Sequence, residues 1–123
     1  MTVRAIRGAT TLTSDKIDEM GTAVVELLES ILSANSLDLA EIVSIIFTST
    51  PDIHSQFPAT AARALKPEIL GNVPLLCAQE MDVPGALALT IRTLVHVNTE
   101  LTQAEMKHQY LRGAVVLRPD IAR

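Results

Sequence analysis

The chain has no tryptophan, one tyrosine and two phenylalanines. Three aromatic rings are too few for a platform on which nucleobases stack. An excess of positive charge is missing too. The net charge is −4 at neutral pH, which makes nucleic acid a poor partner. The single cysteine, Cys77, excludes an internal disulfide and a cysteine-based zinc site. No apolar run approaches the roughly 18 residues that cross a bilayer. No basic-then-apolar leader opens the chain, because Arg4 and Arg7 sit inside a short alternating segment. The expectation is a cytoplasmic protein with no membrane partner. His54, His96 and His108 lack metal-ligand spacing, and no nucleotide-binding or serine-hydrolase motif occurs. No cofactor and no metal are expected.

What is present is a globular composition. Hydrophobic residues make up 48% of 123 positions, enough for one core and one domain over residues 1–123. Thr2 to Leu12 reads as a strand. Thr13 or Ser14 is placed to cap the next helix, in which Ile17, Met20, Val24, Leu27 and Ile31 form one apolar stripe. Asn35 is a suitable left-handed stop. Ile42 to Thr50 is a nearly continuous apolar and β-branched run, as in a central strand covered on both faces. Ala59 to Leu65 has high helix propensity. Val73 to Ala78 is a short strand, Leu87 to Val97 a longer one, and Thr102 with Glu105 caps a brief turn. His108 to Leu117 is the last strand, and Pro119 breaks it. The reading is an α+β fold: a five-stranded mixed sheet packed by one long and one or two short helices. So few helices leave one sheet face bare, which predicts a homo-oligomer with sheets inward.

Arg92 is the residue that does not suit its setting. Alternation places Ala88, Thr90, Arg92, Leu94 and His96 on one face of a mostly buried strand. A guanidinium taken out of water there costs several kcal/mol unless an anion pairs with it. Either an internal carboxylate lies opposite, or a bound anion completes a site. Seven of the ten basic residues are arginine, the better residue for two-pronged carboxylate recognition. Arg7, Glu80, Arg92, Tyr110, Arg112 and Arg118 lie on strands or at their ends. Taken singly, Arg7 reads as paired to an acid, Glu80 as solvated, Tyr110 as a half-buried strand aromatic and Cys77 as an inert thiol. Taken together they describe a pocket for a small polyanion, with nothing tuned for covalent chemistry.

These residues, in this order, resemble the monofunctional chorismate mutases of the trimeric, mixed α/β type. The resemblance runs nearly end to end. It rests on Arg4-Ala5-Ile6-Arg7-Gly8-Ala9-Thr10-Thr11, on Ser49-Thr50-Pro51-Asp52 before Phe57-Pro58-Ala59, and on Cys77-Ala78-Gln79-Glu80-Met81-Asp82-Val83. Ile91-Arg92 and Tyr110-Leu111 with Val115-Val116-Leu117-Arg118-Pro119-Asp120 complete it. The resemblance implies a homotrimer with active sites at subunit interfaces, and a concerted rearrangement of chorismate to prephenate with no proton transfer. It implies catalytic roles for Arg92, Glu80 and Arg7. Arg92 would supply a desolvated cation to the ether oxygen. Arg7 and Tyr110 would bind the side-chain carboxylate, and Glu80 and Cys77 the ring hydroxyl. Phe57 would line the apolar wall, while Arg63 and Arg118 would bring positive charge to the cleft mouth. Two other readings stay open on sequence grounds. One is a non-catalytic trimeric module for a carboxylate metabolite; the other is a small imine or enamine hydrolase.

Overall fold

The computed structural model describes residues 1–118. The predicted break at Pro119, and the end of the last motif at Pro119 and Asp120, lie outside the described residues. Five strands form one mixed sheet. They are β1 (Thr2–Thr11), β2 (Ile42–Ser49), β3 (Leu75–Gln79), β4 (Thr90–Thr99) and β5 (Gln109–Tyr110), in the spatial order β3-β2-β4-β1-β5. β4 runs antiparallel to both β1 and β2, whereas β3 and β5 add in parallel at the two sides. Among the described residues two α-helices, α1 (Ile17–Ala34) and α2 (Pro58–Leu65), accompany the sheet, with short 3-10 turns between elements. No helix among the described residues is long and apolar enough to cross a membrane.

The core lies on one side of the sheet. Ile6, Ile45, Phe47, Ile91, Val95 and Val97 are buried there with Met20, Val24, Leu27 and Ile31 of α1. The predicted stripe therefore faces the sheet, except that Ile17 stays exposed. The alternate residues Ser44, Ile46, Thr48, Arg92, Leu94 and His96 are only half-buried on the opposite face. β2 is thus covered on one face within the chain, not on both.

Local chemistry shifts several predicted boundaries. Neither Thr13 nor Ser14 caps α1; the capping position is Lys16, which makes no side-chain cap bond. Thr13 and Ser14 instead donate backbone N–H and hydroxyl groups to the carboxylate of Glu19. The left-handed residue after α1 is Ser36 (φ 51°), one place beyond Asn35. Asn35 clamps instead: its amide donates to the carbonyls of Ile31 and Lys107, and its oxygen accepts the Lys107 N–H. β4 begins at Thr90, not Leu87. Leu89 is left-handed (φ 48°), its N–H held by Asp52, while Thr50 takes the N–H of Thr90.

The largest correction concerns the last strand. Only Gln109 and Tyr110 pair with β1, and Arg112–Leu117 forms a 3-10 helix. The chain turns at Arg112 (φ 52°), and Gly113 then donates its N–H to the Thr11 hydroxyl. Before that turn, side chains occupy the outer edge of β1. Gln103 both accepts the Ala5 N–H and donates to the Ala5 carbonyl, and His108 accepts the Arg7 N–H.

The two helices touch at Gly21. A Cβ built there meets the Ala61 carbonyl oxygen at 2.8 Å, so the helices have to separate to admit it. Gly21→Ala gains about 1 kcal/mol of helix propensity but overpacks a backbone contact, which typically costs about 1–3 kcal/mol. The variant is expected to unfold at lower urea concentration than the parent; an unchanged or higher midpoint refutes the close approach.

Candidate active site

Strand register explains which charged groups meet. Ala9 is in register with Arg92 on β4 and with Tyr110 on β5, while Arg7 faces Leu94. On the other side of β4, Thr48 is the partner of Arg92. Side chains two apart on one strand share a face, so Arg7, Ala9, Arg92, Leu94, Ile46 and Thr48 all project from the open side of the sheet. They line a hollow of about 320 Å³ together with Tyr110. Ala9 and Tyr110 are themselves buried and pack against Ala114 at one end of it.

Glu80 follows β3 and continues its parallel ladder, donating its N–H to the Ser49 carbonyl. Its side chain crosses β2 to reach β4. Arg92 Nε donates to both carboxylate oxygens at 3.1 Å, and the Thr48 hydroxyl donates to Oε2 at 2.6 Å. The internal acid is therefore real, and Glu80 is paired, not solvated. The pairing uses Nε alone. No hydrogen bond among the described residues is made by the two terminal nitrogens of the guanidinium. The Arg92 side chain remains 40% exposed, so within one chain it is not the fully desolvated cation that was expected. Among the described residues Arg7 meets no acid: its Nη2 donates to the Tyr110 hydroxyl at 2.9 Å. Among the described residues two guanidiniums, Arg7 and Arg92, line the hollow, and the Glu80 carboxylate pairs with the second.

Two nearby residues escaped the sequence reading. Thr48 was legible in principle, since alternation puts it with Ser44 and Ile46 opposite Phe47. His108 reads from the sequence only as a surface or hydrogen-bonded histidine, and its partner is not legible there. Its Nδ1 accepts the Arg7 N–H at 2.9 Å, so that nitrogen carries no proton. Burial, and then the charges of Arg7 and Arg118, hold its pKa below the ordinary value of 6.5.

The other predicted site residues stand elsewhere. Phe57 and Cys77 line a second hollow of about 320 Å³ with Ile53, His54 and Pro58. Cys77 pairs with Phe47 in register and packs on the core side of the sheet, away from Arg92. Arg63 is exposed on α2, the helix that starts beside that second hollow. Arg118 ends the described residues close to His108. One chain therefore brings together Arg7, Glu80, Arg92 and Tyr110, and holds Phe57, Cys77 and Arg63 apart from them. No group of His, Cys, Asp and Glu among the described residues is arranged to hold a metal ion.

A mixed sheet with an arginine-rich hollow on its open face defines a small α+β protein suited to an anionic ligand. The family described as chorismate mutase type I matches residues 3–121. The chain is 41% identical to chorismate mutase AroH of Bacillus subtilis over 124 residues, covering 99% of this chain and 94% of that protein. It is 45% identical to chorismate mutase AroH of Thermus thermophilus over 120 residues, covering 97% and 96%. The fold superposes on a chorismate mutase from Clostridium thermocellum with a TM-score of 0.84 at 43% identity, covering 91% of this chain and 97% of that one. The chain belongs to the type I chorismate mutase family.

The state of His108 can be read by pH. A lowered folded-state pKa means that the unfolded chain takes up a proton first as pH falls. Stability is expected to be undiminished above pH 6.5 and to decline as pH drops from there through the folded value. His108→Asn keeps an oxygen acceptor for Arg7 and should lose that part of the decline. Urea unfolding at a series of pH values measures it, and identical pH dependence in both proteins contradicts the assignment.

Proposed function

We propose that the hollow beside Arg92 is where this chorismate mutase, an isomerase, rearranges chorismate to prephenate. In the reaction a carbon–oxygen bond breaks as a carbon–carbon bond forms, and no acid, base or nucleophile is required. The enzyme has to hold the enolpyruvyl arm over the ring and stabilise negative charge that grows on the ether oxygen. The observation that carries the reading is the one-sided pairing of Arg92. Glu80 anchors Nε, and the terminal nitrogens are left for an oxygen in the hollow.

Arg7 and Tyr110, already joined, would grip the side-chain carboxylate. Glu80 would take the ring hydroxyl with the oxygen capacity it has left, together with Cys77. Phe57 would supply an apolar wall, and Arg63 and Arg118 positive charge at the mouth. Because one chain separates these groups into two hollows, the complete site is assigned to two subunits. In that assembly three chains turn their open sheet faces inward. The half-buried Ile46 and Leu94 and the exposed Leu76 on that face support such a contact. A neighbour seated there also removes water from Arg92, which strengthens its field at the reacting oxygen.

Loss of chorismate absorbance on mixing with the purified protein tests the activity itself. Removing one preorganised donor typically lowers kcat by about 10²–10³. Arg92→Ala and Arg92→Lys are both expected to lose at least that much while remaining folded, since lysine keeps the charge but not the fork. Near-parental kcat in Arg92→Ala refutes the role. The parent kcat is expected to stay flat from about pH 6 to pH 9, because no proton moves in the chemical step. Light scattering should return three times the 13.3 kDa chain mass. A fully active monomer sinks the two-subunit site.

A further inference from the structure

Thr48 stands on β2, the strand between the two members of the Arg92–Glu80 pair. It is the register partner of Arg92, and β3, which delivers Glu80, lies on the other side of the same strand. The Glu80 side chain thus reaches Arg92 by passing over Thr48. A carboxylate held only by a single Nε–H can rotate about its own axis and swing toward the adjacent terminal nitrogen. Here the Thr48 hydroxyl occupies Oε2 at 2.6 Å while Nε contacts both oxygens at 3.1 Å. Glu80 is held from two sides, by neighbouring strands whose spacing the sheet fixes. Thr48 also lines the hollow itself.

We propose that Thr48 is a positioning residue for the Arg92 fork, acting through Glu80. Its hydroxyl proton locks the carboxylate onto Nε and so keeps both terminal nitrogens of Arg92 turned to the substrate oxygen. A hydroxyl is required because the neighbour is an acceptor-only carboxylate. A β-branched residue is favoured because its side chain is stiff on a strand. The inference rests on Arg92 acting in this hollow, and it adds a residue whose own contact is with the carboxylate behind the fork.

Thr48→Val conserves shape and removes the donor. A hydrogen bond to a charged group is worth enough to change a rate by about ten-fold or more when it is lost. Thr48→Val is therefore expected to lower kcat by about ten-fold and to leave KM within about two-fold, since Arg7 and Tyr110 are untouched. Thr48→Ser restores the donor and should recover kcat to within about three-fold. In a Glu80→Ala background the further change Thr48→Val should alter kcat by less than about two-fold, because the partner through which it acts is gone. Circular dichroism and light scattering check that each variant keeps the parent fold and assembly.

The outcomes separate. If Arg92→Ala keeps the parent kcat, the reading of the hollow fails and the role of Thr48 falls with it. If Arg92→Ala is inactive but Thr48→Val matches the parent, only the role of Thr48 is overturned. A Thr48→Ser variant as slow as Thr48→Val assigns the residue to packing and overturns the inference. So does a Thr48→Val penalty that is equally large with and without Glu80.

Discussion

Arg92 and Glu80 hold each other across an intervening strand, and the open face of the sheet is organised around that span. β3, β2 and β4 must lie side by side with Thr48 opposite Arg92 for the carboxylate to reach Nε. A slip of one residue in either ladder would send Arg92 or Thr48 to the core side of the sheet. Phe47, Ile91 and Val95 oppose that slip because they are buried in the core shared with α1. The apolar half of each strand therefore sets the register that the polar half uses. A paired charge of this kind is weak evidence for stability. Its consequence here is local: Nε of the guanidinium is occupied, and the two terminal nitrogens make no hydrogen bond among the described residues.

The second guanidinium is held by different means. Among the described residues Arg7 has a phenol for a partner instead of an acid. Tyr110 reaches it because β5, although only two residues long, pairs with β1 at Gly8 and Ala9. Asn35 at the end of α1 ties down Lys107 on both its backbone groups, and His108 accepts the Arg7 N–H. A short strand is marginal on ladder bonds alone. These side-chain bonds secure the segment that carries the phenol. The helix that fills the core thus also steadies one wall of the hollow.

Periodicity made much of this legible. The α1 stripe, the alternation along β4 and the capping turn at Thr102 and Glu105 all have local causes, and the structure contains them. The family resemblance was legible too, through motifs spread along the chain. What periodicity missed depended on distant partners. His108 to Leu117 has the residues of a strand, but beyond Tyr110 the chain turns at Arg112 and Gly113 bonds to the distant Thr11 hydroxyl. Glu19 captures the residues expected to cap α1, because a carboxylate is the stronger acceptor. The residues lining the two hollows were legible as types. That Cys77 and Phe57 face a different hollow from Arg92 follows from strand parity and sheet order together, and the order β3-β2-β4-β1-β5 is a long-range property.

The outer edge of β1 has a consequence for how copies of the chain can meet. An unpaired strand edge invites another strand and leads toward cross-β growth. Here the amide of Gln103 stands in for a missing neighbour at Ala5, and the imidazole of His108 does so at Arg7. Those backbone groups are spent, and the surrogate cannot be extended as a ladder. Recruitment of a further chain by main-chain zippering is thereby discouraged along this border.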